Sequence, residues 1–123
     1  MQIVQDFRVF LYNDGMSRLI KTASELFGLI RSSPKVMILF YADWCPFSRE
    51  FLPCFEKADA DGGRGFLRVL VDDVAEAANA FRVGVYPTIL FFEDGALVKR
   101  LDGRAGVGLN ERQLEDFISA CGL

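Results

Sequence analysis

The sequence predicts an α/β fold in which a central mixed β-sheet is flanked by helices, in the element order βαβαβαββα. Strand-length apolar runs alternate with segments of helical period along most of the chain. Two further apolar stretches are separated by Asp94-Gly95, a pair typical of a β-hairpin turn. Alternation favours parallel strand pairs and the hairpin adds an antiparallel one, so we expect a mixed sheet. The 123 residues suit a single domain, 1–123.

The N-terminal part predicts one strand and one helix. Residues 7–12 alternate in polarity as a strand does, and Asn13-Asp14-Gly15 are turn residues. Apolar residues then recur with the spacing of one helix face. They are Met16, Leu19, Ile20, Ala23, Leu26, Phe27 and Ile30. We therefore expect a helix over residues 16–30, ended by the Ser-Ser-Pro of residues 32–34.

The next strand is expected in the centre of the sheet. Residues 36–41 form a continuous apolar run, as in a strand covered on both faces. Pro46 then suits the first position of a helix, where the missing N–H costs nothing. This helix is expected to reach about Ala60 with a kink at Pro53, and a glycine-rich loop follows over residues 61–65.

The C-terminal part predicts three strands and two helices. Residues 66–71 read as a strand, and Asp73 with Glu76 three residues later reads as the capped start of a short helix. Residues 88–93 and 96–101 are expected to be the strands of the hairpin. Asn110 with Gln113 predicts the start of the last helix.

Composition excludes several classes of function. Fourteen Lys and Arg against 17 Asp and Glu give a net charge of −3, so no basic field attracts nucleic acid or an anionic membrane. Histidine is absent, and three cysteines are too few for a disulfide scaffold or a four-cysteine zinc site. Asp72-Asp73 is explained by a strand end and a helix cap. We therefore expect neither a metal nor another cofactor.

Targeting signals are not evident in the sequence. Charges interrupt each apolar run well short of about 18 residues, and the N-terminus lacks a basic region followed by an apolar one. We therefore expect a soluble cytoplasmic protein.

Cys45 is the strongest candidate for a chemically active residue. It follows a buried strand and directly precedes a helix, where the helix dipole and free N–H groups favour the thiolate. Trp44 offers an apolar surface beside it, and Ser48 is placed to present a hydroxyl to the sulfur. Free cysteines are also common as inert core residues, and the spacing alone leaves both interpretations open.

The motifs around Cys45 resemble those of the thioredoxin superfamily. Residues 40–48 read Phe-Tyr-Ala-Asp-Trp-Cys-Pro-Phe-Ser, Pro53 lies eight residues after the cysteine, and residues 85–88 read Val-Tyr-Pro-Thr. The resemblance covers residues 6–121 and implies a thioredoxin fold. It also implies a cis Tyr86–Pro87 bond close to the Cys45 sulfur and a substrate groove. The groove residues implied are Tyr86, Pro87, Thr88 and Gly103, the last a glycine that lets a partner chain approach.

Two departures from the family pattern affect the same chemical step. Ser48 stands where dithiol members have a second cysteine, and Leu39 stands where the family has a buried carboxylate. Release of a mixed disulfide needs a second thiol nearby, so here the mixed disulfide is expected to persist until an external thiol arrives. The Cys-x-x-Ser form is similar to monothiol members of the protein disulfide isomerase branch and to plant adenylylsulfate-reductase-like proteins.

These features predict monothiol thiol–disulfide exchange through Cys45, with protein thiols and disulfides or glutathione as partners. The residues expected to tune Cys45 are Trp44, Pro46, Phe47 and Ser48. Arg68 matches a position where family members often carry a lysine near the active site, and an edge or snorkelling arginine is the alternative. Two other functions stay open: a redox-inert binding module that uses the same groove, and an adaptor that captures client thiols covalently without turnover.

The other two cysteines are poor substitutes for the missing thiol. Cys54 lies nine residues after Cys45, about 2.5 helical turns and roughly 13 Å away on the opposite face. A disulfide needs Cα atoms within about 7 Å of each other. Cys121 shares the apolar face of the last predicted helix. We interpret both as core residues.

Overall fold

The computed structural model of the chain describes residues 17–123. The strand expected at residues 7–12 and its turn at residues 13–15 lie outside this range. Within it, the chain forms five strands and four helices in the order βαβαβαββα. This is the predicted succession of strands and helices, but its first strand is not the one expected at residues 7–12. They are β1 (Arg18–Ile20), α1 (Ala23–Ser32), β2 (Lys35–Tyr41), α2 (Pro46–Gly62), β3 (Leu67–Leu70), α3 (Ala75–Ala80), β4 (Thr88–Glu93), β5 (Ala96–Asp102) and α4 (Glu111–Ala120).

The strands form one mixed sheet in the spatial order β1-β3-β2-β4-β5. β3 pairs in parallel with both β1 and β2, whereas β4 is antiparallel to β2 and β5. This is the predicted combination of a βαβ part with a C-terminal hairpin. At the hairpin turn, Asp94 and Gly95 have φ values of 51° and 85°, the left-handed backbone that such a turn requires.

Strand β2 supplies both faces of the core, which confirms the prediction of a doubly covered central strand. Ile38 and Phe40 point into a cluster with α1 and α3, and Met37 and Leu39 point into a cluster with α2 and α4. All four side chains are almost completely buried. The sheet thus separates two hydrophobic layers, and the carboxyl end of β2 leads from between them to the start of α2.

The expected helix over residues 16–30 is wrong at its N-terminal end. Arg18, Leu19 and Ile20 form strand β1, and the helix begins at Ala23 after the N-cap Thr22, whose hydroxyl accepts a hydrogen bond from the Glu25 N–H. The apolar spacing is shared by chance between the strand and the helix. Pairing of β1 with β3 buries Ile20, and the Thr22 cap gives the true start of the helix.

The helix expected to be capped by Asp73 starts one residue later. Its N-cap is Val74, which has no side-chain capping bond. The Leu70 carbonyl accepts hydrogen bonds from the N–H groups of both Asp73 (3.0 Å) and Val74 (3.1 Å), and this turn carries the chain past Asp73 before the helix begins. By contrast, the predicted capping box of the last helix, Asn110 with Gln113, is present.

Helix α2 begins at Pro46 as predicted, contains Pro53 and extends two residues beyond Ala60. It ends where Gly63 adopts a φ of 56°, a left-handed conformation that glycine adopts at little cost. In the part of the chain from Ser17 onward, no helix is long and apolar enough to cross a membrane.

Candidate functional site

The site lies at the turn between β2 and α2. The N–H of Cys45 donates to the Ala42 carbonyl at 3.2 Å, and the carbonyl of Cys45 accepts from the Arg49 N–H at 3.0 Å. Cys45 is thereby the N-cap residue of α2, with Pro46 in the first helical turn. The N-cap side chain is the one that faces the free N–H groups at the start of a helix. The Cys45 side chain forms no capping hydrogen bond with these N–H groups, and its sulfur lies at the positive end of the helix dipole.

The Cys45 sulfur faces the loop that precedes β4. It is a free thiol whose Sγ lies 3.9 Å from the carbonyl oxygen of Tyr86, although 41 residues separate the two in sequence. The Tyr86–Pro87 bond is cis, as predicted. Among the described residues, the Tyr86 N–H donates to no protein acceptor. A chain docking beside Cys45 therefore meets an available backbone donor.

Ser48 is completely buried one helical turn after Cys45. Its hydroxyl oxygen accepts a 3.2 Å hydrogen bond from the Ala42 N–H, which ties the end of β2 to the first turn of α2. The hydrogen bonds of the site thus join Ser48 to the Ala42 backbone rather than to the Cys45 sulfur expected from the sequence. Ser48 orders the segment that carries Cys45.

Thr88 and Gly103 support the loop that contains the cis-proline through hydrogen bonds and a close backbone contact. The Thr88 hydroxyl donates to the Val85 carbonyl at 2.6 Å and accepts from the Gly103 N–H at 3.2 Å. Thr88 is fully buried, so its side chain supports the cis-proline loop and is not an exposed contact residue. A β-carbon on Gly103 would overlap the Pro87 carbonyl oxygen. The fold itself therefore requires glycine at this position, quite apart from any docking chain.

Trp44 is the most prominent exposed residue next to Cys45, with 57% of its surface accessible. Its indole Nε1–H donates a 2.7 Å hydrogen bond to the Asp72 carboxylate at the end of β3. Its ring also lies edge-on to Tyr86, with 6.2 Å between ring centroids. These two contacts fix the position of the Trp44 ring, which is an exposed apolar surface next to Cys45. The sequence interpretation treated Asp72 only as a strand end and missed this contact.

Arg68 is neither an edge arginine nor a snorkelling one. It lies on β3 between β1 and β2, and its largely buried guanidinium forms a 3.1 Å ion pair with Glu56 of α2. It also donates to the Ser17 carbonyl and, at 3.2 Å, to the Tyr41 hydroxyl. None of its hydrogen bonds within residues 17–123 reaches Cys45. Sequence analysis missed Glu56, because nothing in the helical pattern marks it as the partner of a residue on β3.

The remaining cysteines lie in the core layer on the opposite side of the sheet from Cys45. Cys121 is buried in the cluster between α2 and α4. Cys54 is partly buried and packs against this cluster. Burial raises the pKa of the Cys54 thiol, and the Glu111 carboxylate adds to this effect against a smaller opposing effect of Lys57. Burial also raises the pKa of Cys121. The raised pKa values favour the protonated thiol at both positions. Cys121 is a core residue as predicted, whereas Cys54 is only partly buried at the edge of the core.

Metal-ligating side chains do not converge in the described part of the chain, where no three His, Cys, Asp or Glu residues are placed to hold an ion. The site offers one sulfur, that of Cys45, at the start of a helix. Beside it lie the exposed Trp44 ring and the cis-proline loop, whose Tyr86 N–H is available as a donor.

Comparisons with known proteins match this geometry. The Thioredoxin family model matches residues 19–120. A thioredoxin-like protein from Fusarium culmorum is 33% identical over 100 residues, which is 77% of this chain and 82% of that protein. The crystal structure of Fasciola hepatica thioredoxin is 31% identical, covers 85% of this chain and 98% of its own, and superposes with a TM-score of 0.74. Human endoplasmic reticulum resident protein 44 is 31% identical over 80 residues, 58% of this chain and 20% of that protein.

Proposed function

Because this chain belongs to the thioredoxin family of thiol–disulfide redox proteins, we propose that it exchanges disulfides as a monothiol protein, with Cys45 as its single nucleophile. One observation carries the proposal. The Cys45 sulfur sits at the start of α2 facing Tyr86, and the position one helical turn later is Ser48 instead of a second thiol.

The proposed reaction is a single exchange step. The Cys45 thiolate attacks one sulfur of a client disulfide, a new S–S bond joins Cys45 to the client, and the second client sulfur leaves as a thiolate with the bonding electron pair. Cys45 is thereby oxidised to the disulfide level and the departing sulfur is reduced. Attack by an external thiol, from glutathione or a protein, reverses this change at Cys45 and completes the cycle.

The position of the other cysteines supports a monothiol mechanism. Cys45 belongs to the core layer with α1 and α3, whereas Cys54 and Cys121 belong to the layer with α2 and α4. The sheet lies between the two layers, and a disulfide requires Cα atoms within about 7 Å. Neither thiol reaches the Cys45 sulfur without disruption of the core.

The surrounding residues receive distinct roles in this proposal. Trp44, Pro46 and Phe47 shape the surface at the sulfur, and Tyr86 with Pro87 docks the backbone of a client. Ser48, Thr88, Gly103 and Arg68 act as positioning residues through the buried contacts described above.

A second candidate function is a binding module that uses the same groove without redox chemistry. It is favoured by the low exposure of Cys45, 7%, next to the widely exposed Trp44. A covalent adaptor that captures clients and does not turn over lies between the two functions. It would share the first reaction step and lack the second.

Trapping of mixed disulfides separates these functions. The reduced full chain would be incubated with denatured insulin-type substrates whose disulfides are intact and with oxidised glutathione, and the adducts located by peptide mass spectrometry. We expect adducts at Cys45, loss of these adducts in Cys45→Ser, and retention in the double variant Cys54→Ser/Cys121→Ser. Release by added glutathione would indicate turnover, and adducts that resist it would indicate an adaptor. Absence of any adduct at Cys45 would leave only the binding module.

A further inference from the structure

The loop over residues 103–108 touches the site at both of its ends. At its start, Gly103 lies directly against the Pro87 carbonyl, and at its end a β-carbon on Gly108 would lie 2.8 Å from Cβ of Phe47. The carbonyl of Tyr86, the residue before Pro87, faces the Cys45 sulfur. Phe47 is two residues after Cys45. The loop therefore forms part of the wall around the sulfur.

Backbone hydrogen bonds close this loop into a tight turn. The Arg104 carbonyl accepts from the N–H groups of Val107 (2.9 Å) and Gly108 (2.8 Å), and the Arg104 N–H donates to the Gly108 carbonyl at 3.3 Å. Gly106 and Gly108 have φ values of 75° and 82°, where a side chain would be strained. The turn holds Val107 in a defined place with 61% of its surface accessible.

Two exposed apolar side chains belong to segments that contact the residues around Cys45. Val107 belongs to the turn on Phe47 and Pro87, and Trp44 rests on Tyr86. A single exposed valine carries no meaning, but exposed apolar residues beside a candidate groove indicate a contact surface. The Tyr86 N–H beside these side chains is available to a hydrogen-bond acceptor. An extended polypeptide can supply both an apolar side chain and a backbone acceptor.

The charge on the Trp44 side disfavours an anionic ligand. Asp43, Asp72 and Asp73 are exposed there, and Asp72 is bonded to the indole itself. The exposed Arg49, whose guanidinium bonds to the Asp43 carbonyl, opposes them on this side, and the exposed Arg104 lies in the loop over residues 103–108. A small peptide with two carboxylates, such as glutathione, meets like charge on the Trp44 side and has no bulky apolar residue next to its cysteine to place against Val107.

We infer that the loop over residues 103–108 selects the client, with Val107 contacting a bulky apolar residue next to the client's reactive cysteine. The preferred substrates are then protein segments of the type apolar–cysteine, ahead of glutathione. This inference rests on the proposed function, because it concerns the rate at which Cys45 forms a mixed disulfide.

The test uses short peptides whose cysteine is activated with the same leaving group, 5-thio-2-nitrobenzoate. The residue next to the cysteine is Leu, Ser or Asp, and activated glutathione is the fourth substrate. In each reaction the Cys45 thiolate attacks the peptide sulfur, the bond to the nitrobenzoate sulfur breaks, and the coloured thiolate leaves with the electron pair. We expect the Leu peptide to react about fivefold faster than the Ser peptide, the ratio given by burial of part of a leucine.

Substitution of the valine assigns this preference to the loop. Val107→Ser is expected to remove most of the preference for the Leu peptide while leaving the rate with the Ser peptide unchanged. Val98→Ser is the matched control, since Val98 is also an exposed valine but lies on β5 toward the hairpin turn. Its preference should equal that of the unmodified chain.

Three results would overturn the inference: equal rates for the Leu and Ser peptides, a preference that survives Val107→Ser, or a faster reaction with activated glutathione. A chain whose Cys45 reacts with none of the four substrates, nor with 5,5′-dithiobis(2-nitrobenzoate), would overturn the proposed function and this inference together. The small disulfide thus distinguishes failure of the chemistry from failure of the selection.

Discussion

Glu56 and Arg68 form an ion pair inside the fold, with 3.1 Å between Oε2 of the glutamate and Nη1 of the arginine. The same glutamate accepts a 2.7 Å hydrogen bond from the Ser17 N–H, and the arginine donates to the Tyr41 hydroxyl. The pair joins α2 and β3 to the start of β1 and the end of β2. Since both side chains are largely buried, loss of one leaves the other charge without compensation.

Removal of the carboxylate is therefore expected to destabilise the protein strongly. Glu56→Ala should lower the free energy of unfolding by about 3 kcal/mol, because the buried Arg68 guanidinium loses its counterion. Urea unfolding followed by circular dichroism measures this change. Glu50→Ala, at an exposed position of the same helix, is the control and should change stability by less than about 0.5 kcal/mol. An effect of Glu56→Ala as small as that of the control would contradict the buried-pair interpretation.

Two glycine substitutions are expected to have opposite effects. Gly103→Ala places a β-carbon against the Pro87 carbonyl oxygen, a backbone atom held in place by the Thr88 bonds, and should destabilise by about 1–3 kcal/mol. Gly28→Ala places its β-carbon in open space within α1 and should stabilise by about 0.5–1 kcal/mol through helix propensity. Thermal unfolding of both variants checks the pair, and a Gly103→Ala protein as stable as the parent would refute the close contact.

Introduction of a second thiol should change a capture protein into a reductase. In Ser48→Cys the new sulfur lies one turn after Cys45, with Cα atoms about 5 Å apart, within reach of a disulfide. We expect oxidation to give an intramolecular disulfide and insulin reduction to rise severalfold. The gain is limited because the apolar Leu39 provides no base for proton transfer.

The same variant should lose stability in its reduced form by about 1 kcal/mol, since a thiol is a weaker acceptor for the Ala42 N–H than the Ser48 hydroxyl. Ser119→Cys, at an exposed position of α4, adds a thiol elsewhere and should not raise reductase activity. Rapid insulin reduction by the unmodified chain would argue against a monothiol mechanism.

Alkylation should distinguish Cys45 from the two cysteines whose pKa values are raised. The pKa values of Cys54 and Cys121 are raised, mainly by burial, so at pH 7 the thiolate fraction of both is very small. We expect iodoacetamide to modify Cys45 first at pH 7. Modification of Cys54 should accelerate as the pH rises toward its raised pKa, and peptide mapping at several pH values measures the order. Cys54 is the more exposed thiol, and its modification ahead of Cys45 at pH 7 would contradict an activated Cys45.

Local sequence signals predicted most of the fold. The apolar run of β2, the Asp94-Gly95 turn and the Asn110 capping box each depend on neighbouring residues alone, and all three are confirmed. Strand β1 was not predicted, because three residues are too few to show the period of a strand. Leu19 and Ile20 also fit the period of the helix that follows them, and only pairing with β3 decides their structure.

The site was predictable where a motif identifies it and obscure where contacts are distant in sequence. Cys45, Trp44 and Pro87 stand out by residue type and spacing. Trp44 contacts Asp72, and Arg68 contacts Glu56. Each contact joins two different parts of the fold, and the periodicity of a single helix or strand does not predict it. For the turn over residues 104–108 the sequence does contain a signal: glycines flank Val107 on both sides, a pattern typical of left-handed backbone in a tight turn.

Trp44 is the only tryptophan of the chain, and its indole lies between the Asp72 carboxylate and the Tyr86 ring at the mouth of the groove. All tryptophan fluorescence of the protein therefore originates at the place where a client would dock. A ligand that covers the ring or displaces the carboxylate from Nε1 alters the emission wavelength or intensity, while binding elsewhere leaves both unchanged. The protein thus contains its own optical probe, and client binding can be titrated without a label on either partner.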